Sequence, residues 1–323
     1  MSGSGWTHDT LVAGILAGDR RALARAISLV ESRAPEGEAI VRDVYPQTGR
    51  AASIGVTGPP GVGKSTLMSA LVSHARSLDL SCGVVSVDPS SPFTRGALLG
   101  DRIRLTDHFL DPGVYIRSMG TRGHLGGLAE ATLETLLLVD ASGKDVVFLE
   151  TVGTGQSEVE VVGSADVVLL VLMPGSGDSV QALKAGIMEI PDVIAVNKMD
   201  HPASRTMVQE VRSIVALEPD RDRRPAILLT EAVRGEGVPE LWEALEARRR
   251  ALAERGELDR RRARNLEGEV EELAVARLRA LVQRAMTEDD GVRELVEDVQ
   301  RREVDPLTAV AKVVDAVTEG AVR

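Results

Sequence analysis

Ser53-Ile54-Gly55-Val56-Thr57 runs directly into Gly58-Pro59-Pro60-Gly61-Val62-Gly63-Lys64-Ser65-Thr66, and the fold is read outward from this stretch. The apolar run Ile54–Thr57 predicts a buried strand, and Thr66–Ala75 has the spacing of a helix. Between them lies G-x-x-x-x-G-K-[ST], the loop whose backbone N–H groups turn inward around phosphate oxygens. The helix that follows points its positive end at the same place. Gly58, Pro59, Pro60, Gly61, Val62, Gly63, Lys64, Ser65 and Thr66 are therefore the candidate phosphate-binding residues. Lys64 is expected to reach the β- and γ-phosphates, and the Ser65 hydroxyl to ligate Mg²⁺.

Further runs of the same kind follow at Val84–Val87, Val114–Ile116, Val146–Leu149, Val167–Leu172, Val193–Val196 and Ile227–Leu229, with helical patterns between them. Continuous apolar strands joined by helical crossovers read as parallel and buried on both faces. The expected fold is a three-layer α/β P-loop NTPase with a mostly parallel sheet, flanked by helical segments. The expected boundaries are 1–48 for an N-terminal helical segment, 49–243 for the nucleotide-binding domain and 244–323 for a C-terminal helical segment. In the first, Leu11, Ile15, Leu23, Ala26, Ile27 and Val30 share one helical face. In the last, Arg248 to Arg264 holds eight arginines and three acidic residues and reads as a solvated connector. Apolar positions then recur at helical spacing, and Asp305-Pro306 has the form of an N-cap followed by proline in the first turn.

Composition removes several function classes. The formal charge of the 323-residue chain is −11, a poor match for nucleic acid or an anionic membrane. Seven aromatic residues in all argue against a base-stacking platform. The single cysteine, Cys82, fits a reducing compartment and excludes an intrachain disulfide. No secretory pattern opens the chain, and its longest strongly apolar run is far too short to cross a bilayer, so the expected location is the cytoplasm.

Two further stretches carry chemistry. Asp145-Val146-Val147-Phe148-Leu149-Glu150-Thr151-Val152-Gly153 is a strand ending in a carboxylate and then a glycine. Glu150 stands where an acid near the metal is needed, and Gly153 could turn its N–H onto the γ-phosphate. Asp88 and Asp101 are candidates to ligate Mg²⁺ through water or to orient the attacking water; Lys64 and Glu150 complete the candidate catalytic set. Asn197-Lys198-Met199-Asp200 ends another apolar strand. The Asp200 carboxylate can accept both N1–H and the N2 amine of guanine, whereas adenine would face it with a lone pair. Asn197 is expected to bond the other base edge and neighbouring loops, and Lys198 to lie across the ring. Thr230-Glu231-Ala232 is expected to present a backbone N–H to O6.

With these motifs together, the sequence resembles the MeaB/ArgK family of G3E-type GTPases. The resemblance rests on 58–66, on VDPSSPFTRGALLGD (87–101), HLGGLA (124–129), ETVGTGQSE (150–158), LVLMPGSGDSVQALKAGI (170–187) and AVNKMD (195–200). It implies a Mg²⁺-dependent GTPase, bound to GTP or GDP, that gates adenosylcobalamin loading of an acyl-CoA mutase of the methylmalonyl type and protects it from inactivation. It implies that Asp88, Asp101 and Glu150 surround the Mg²⁺ site with Ser65. It further implies a third switch from Pro174 to Lys184, with Asp178, Gln181 and Lys184 as its polar residues, and a homodimer through the C-terminal helices. Glu231 departs from the pattern of GTPases generally, where a small residue more often precedes the alanine. No residue clearly positions the attacking water; Gln156 has the spacing alone, and Arg95 and Arg122 are loop arginines.

Other classes were weighed. An ATPase or kinase accessory to basic amino-acid transport, an older label for ArgK-like sequences, conflicts with the guanine-selecting Asn197 and Asp200. A metal-delivery GTPase would want a cluster of metal ligands, but the five histidines are scattered and Cys82 is alone. A signal-recognition GTPase is disfavoured by the acidic charge and by C-terminal helices that are not rich in methionine.

Overall fold

The structure, a computed structural model, describes residues 6–89, 102–121, 130–151, 165–175 and 191–321. Backbone contacts divide the chain into two units, 1–265 and 266–323.

The first unit is built on a seven-stranded sheet. In chain order the strands are β1 (Ala52–Thr57), β2 (Cys82–Pro89), β3 (Val114–Thr121), β4 (Val146–Thr151), β5 (Val167–Leu172), β6 (Val193–Val196) and β7 (Ala226–Leu229). Their spatial order is β3-β2-β4-β1-β5-β6-β7, and every pairing is parallel. Each of the seven apolar runs is thus a strand. β3 outlasts its run because Arg117, which pairs in register with Val85, is neutralised by Glu31 of the helix Arg20–Glu31.

Both faces of the sheet are covered around its centre, which is why the central strands carry apolar residues pointing to both sides. On β4, Val146 and Phe148 pack to one side with Leu67 and Leu71 of helix Lys64–Ser77 and with Leu241 and Trp242 of helix Val238–Glu254. Val147 and Leu149 pack to the other side with Leu138 of helix Glu130–Ala141 and with the N-terminal helices. Those helices, His8–Leu16, Arg20–Glu31 and Pro35–Val44, bury all six positions of the shared apolar face. Helix Ser204–Val215 covers β5 and β6 through Met207 and Val211.

The arginine-rich stretch is not a solvated connector. Asp166 and Asp192 immediately precede β5 and β6, and both are buried, at 2% and 3% exposure. Arg262 chelates Asp166 at 2.7 and 2.6 Å. Arg261 chelates Asp192 at 2.6 and 3.2 Å, with Arg248 adding a bond of 3.0 Å. The carboxylates also accept backbone N–H bonds from Ser53 and Val168. Arg262 further donates to the carbonyls of Gly49 and Ala51 at the start of β1. Buried carboxylates need paired and hydrogen-bonded partners, and residues far along the chain supply them.

Cys82, at the head of β2, is fully buried, and burial pushes its thiol up to about 12, so it is an inert core residue. In the second unit, helices Asp290–Gln300 and Pro306–Ala321 follow the long helix Glu257–Glu288. Asp305 caps the last helix by accepting from the N–H groups of Leu307 and Thr308, as its sequence indicates. Val270, Leu278, Leu307, Val310 and Val314 are exposed in this unit. No helix among the described residues is long and apolar enough to cross a membrane.

Removing one partner of a buried charge pair costs about 3–5 kcal/mol. Arg262→Ala is therefore expected to lower unfolding free energy by about 3 kcal/mol, because Asp166 stays buried. Urea denaturation checks this, and a loss under about 1 kcal/mol would show that the pair behaves like an exposed one.

Candidate functional site

In a parallel sheet all carboxyl ends lie along one edge, and ligands bind there. Along this edge β1 ends in the phosphate loop, β4 in Glu150, β5 in the stretch Met173-Pro174-Gly175, and β6 in the base loop at Asn197.

The phosphate loop takes its shape from glycine. Gly58 has φ 141°, and a Cβ there would lie 2.1 Å from the Val171 carbonyl oxygen of β5. Only glycine permits that approach. Gly63, at φ 94°, is the N-cap of helix Lys64–Ser77, and a Cβ on it would meet the Asn197 side-chain nitrogen at 2.6 Å. Lys64, buried at the first turn, donates through Nζ to the carbonyls of Gly58 (2.5 Å) and Pro59 (3.2 Å). The ammonium is thus aimed back along the loop, toward the space the backbone N–H groups encircle.

Ser65 Oγ donates to Glu150 Oε1 at 2.7 Å, and both residues are buried. Val56 pairs in register with Glu150, so the strand ladder itself sets the carboxylate beside the loop. A hydroxyl and a carboxylate in contact are hard oxygen donors. Adjacent ligands at ~2.1 Å from an octahedral ion stand about 3 Å apart, so the pair fits Mg²⁺. Among the described residues no group of three or more His, Cys, Asp or Glu is placed to hold a metal ion.

The base loop is held more tightly than its sequence suggests. Asn197 is buried; its Nδ2 donates to the Val62 carbonyl (3.0 Å), and its Oδ1 accepts from Thr230 Oγ1 (3.2 Å) and the Ala232 N–H (3.1 Å). Its amide therefore ties three loops together, using one of the two Nδ2 protons. Of the backbone N–H groups in Thr230-Glu231-Ala232, the segment expected to serve O6, that of Ala232 goes to Asn197. The Glu231 N–H goes to the Glu236 carbonyl, and the Glu231 carboxylate pairs with Arg234. Lys198 has φ 58° and reaches Gly61 O at 3.3 Å and Met173 Sδ at 3.1 Å. Asp200 is exposed at the mouth of the loop.

The structure thus brings together Gly58 to Thr66, Glu150, Asn197, Lys198, Asp200, Thr230, Glu231, Ala232 and Pro174. Asp101, Gly153, Asp178, Gln181 and Lys184 lie outside the described residues, as do Gln156, Arg95 and Arg122. Asp88 ends β2 beside Gly120 of β3, and its side chain is also outside the description. Met173 was not singled out in the sequence, since a methionine closing an apolar strand looks like core.

The family model described as "Methylmalonyl Co-A mutase-associated GTPase MeaB" matches residues 23–289. A Pyrococcus abyssi relative that carries the name of a GTPase is 42% identical, covering 97% of this chain and 97% of its own length. GTPase ArgK of Escherichia coli is 38% identical, covering 75% of this chain and 76% of its own. The Caenorhabditis elegans protein named methylmalonic aciduria type A homolog, mitochondrial, is 35% identical, with 78% and 68% covered. A solved structure described as an LAO/AO transport system kinase aligns with a TM-score of 0.68 at 26% identity, covering 98% of this chain and all of that one. The chain belongs to the MeaB family and is a P-loop GTPase.

Asp200, exposed at the end of the loop after β6, is the residue expected from the sequence to accept both guanine donors. Asp200→Asn should exchange guanine for xanthine preference, because the amide can donate to the extra carbonyl of xanthine. Two charged hydrogen bonds at about 1.5–3 kcal/mol each imply GDP binding at least about two decades tighter than ADP in the wild type. Calorimetry with GDP, ADP and XDP on both proteins checks it; equal GDP and ADP affinities would remove the basis for base selection here.

Proposed function

We propose that this GTPase is a nucleotide-driven chaperone of an adenosylcobalamin-dependent acyl-CoA mutase of the methylmalonyl type, gating cofactor loading and protecting the mutase from inactivation. Support comes from the family description, which couples these GTPases to methylmalonyl-CoA mutase, and from the name of the Caenorhabditis elegans relative. The observation that carries the nucleotide part is the meeting of Lys64, the Ser65–Glu150 pair and the Asn197 tie at one sheet edge.

In this reading the loop N–H groups and Lys64 bind the β- and γ-phosphates and stabilise the charge that develops as the γ-phosphoryl leaves. Ser65 and Glu150 would hold Mg²⁺, with Asp88 and Asp101 joining through water or orienting the attacking water. The ion, when bound, neutralises charge on the phosphate oxygens. Lys198 and Asp200 hold the base, and Asn197 keeps the two loops at a fixed spacing. The segment Pro174 to Lys184 comes after β5 in the chain and is proposed to pass nucleotide state to the mutase through Asp178, Gln181 and Lys184. The reading as a kinase of amino-acid transport has only the name of the solved neighbour behind it, and the Asn197–Asp200 loop speaks against ATP.

Changing Asp178, Gln181 or Lys184 to Ala should leave GDP affinity within about threefold. The same changes should abolish stimulation of GTP turnover by purified methylmalonyl-CoA mutase. The check is a nucleotide titration and a mutase titration on each variant; stimulation surviving in all three would reduce the segment to a connector.

We also propose a homodimer through residues within 244–323, because Val270, Leu278, Leu307, Val310 and Val314 are more exposed apolar surface than a helical unit in water retains without a partner. Light scattering at tens of micromolar should give twice the 34.4 kDa chain mass. A monomer mass would refute the assembly.

A further inference from the structure

Beside Asn197, Lys198 is a second base-loop side chain that reaches two neighbouring segments, the phosphate loop and the exit of β5. Its ammonium lies 3.3 Å from the Gly61 carbonyl of the phosphate loop and 3.1 Å from Met173 Sδ. Its left-handed backbone, φ 58°, is uncommon outside glycine and persists where surroundings fix it. Met173 is the first residue after β5; it is half-buried and packs against the core under helix Lys64–Ser77. Two residues on, Gly175 lies so close to His201 that a Cβ would stand 3.8 Å from the ring. With the Asn197 N–H on the Leu172 carbonyl at 2.8 Å, the base loop touches the exit of β5 at two successive residues, Leu172 and Met173.

We propose that Met173 is a positioning residue for guanine-nucleotide binding: its thioether holds the Lys198 ammonium so that the aliphatic stem spans the gap between base loop and phosphate loop. This rests on the reading of Asn197 to Asp200 as the base loop. The choice of acceptor matters. Sulfur accepts weakly and carries no charge, so it fixes the direction of the ammonium without neutralising it. A carboxylate in its place would form an ion pair, and an aliphatic side chain would leave the ammonium with the Gly61 carbonyl at 3.3 Å as its remaining acceptor of the two. A lysine already fixed over the gap loses less freedom when the purine face settles on its stem, so affinity rises without a new contact to the ligand. The gain should appear in the release rate, where most affinity differences among variants of one site reside.

The test uses the full chain, GDP calorimetry, stopped-flow release of a fluorescent GDP analogue and thermal unfolding. Met173→Leu keeps volume and removes the acceptor; Met173→Gln restores an uncharged acceptor at similar reach. Met173→Leu is expected to bind GDP about three- to tenfold more weakly, the effect of one hydrogen bond, through faster release and with Tm unchanged. Met173→Gln should stay within about twofold of wild type, and in a Lys198→Ala background Met173→Leu should change nothing further. If Leu and Gln lose affinity alike, or Leu costs as much without Lys198, Met173 acts by packing and the proposal is overturned. If the wild type does not prefer GDP to ADP, the guanine reading falls and the proposal with it; sulfur-independent GDP affinity overturns the proposal alone.

Discussion

One buried amide sets the geometry on which the site depends. Asn197 spends its nitrogen on the Val62 carbonyl and its oxygen on Thr230 and Ala232, so phosphate loop, base loop and the loop after β7 are held at one spacing. A nucleotide has a base at one end and a row of phosphates at the other, and a receptor whose two recognition loops already stand at a fixed distance spends less on ordering them when it binds. The tie is tight enough that Gly63 cannot carry a side chain without striking the same amide. Glycine in the loop is thus required twice, once for its own turn and once for the approach of Asn197.

The opposite edge of the sheet is built on a different principle. Where the carboxyl ends keep polar groups turned toward a ligand, the amino ends neutralise theirs internally: Asp166 and Asp192 are sealed under Arg248, Arg261 and Arg262. Charge at this edge is structural. It fixes the starts of β5 and β6, whose far ends deliver Met173 and Asn197 to the site. Precision at one edge is inherited from rigidity at the other, since strands this fully buried have little freedom to shift in register.

Legibility in the sequence followed the range of the interactions. The seven strands could be read because each is a local apolar run, buried on both faces in all but the edge strand β7, and the phosphate loop because its glycines, lysine and serine act within one turn. The helical face from Leu11 to Val30 was legible for the same reason. What could not be read depended on partners distant in the chain. Arg117 hides the second half of β3 unless Glu31 is known to face it. Eight arginines between 248 and 264 look like a solvated helix until Asp166 and Asp192 are seen beneath three of them. The segment Thr230 to Ala232 reads as able to present a backbone N–H to a base, and only the fold shows that Asn197 takes that of Ala232.

The arginine clamp also bears on how the protein is made. A chain emerging from the ribosome folds from its N-terminal side, at ~5–20 residues per second. β5 and β6 leave the exit long before Arg261 and Arg262 exist, so for several seconds their two carboxylates have no guanidinium to meet. The half of the sheet beyond β1 must remain open, or hold its strand starts hydrated, until that helix is translated. The pairs at the starts of β5 and β6 can therefore form only after residue 262, whereas the face of β2 to β4 under the N-terminal helices draws its core from residues before about 151 and their opposite face waits for Leu241 and Trp242. A stall between these points would leave an assembled phosphate-side scaffold beside an unfinished base site, exposing apolar strands of the kind that chaperones hold.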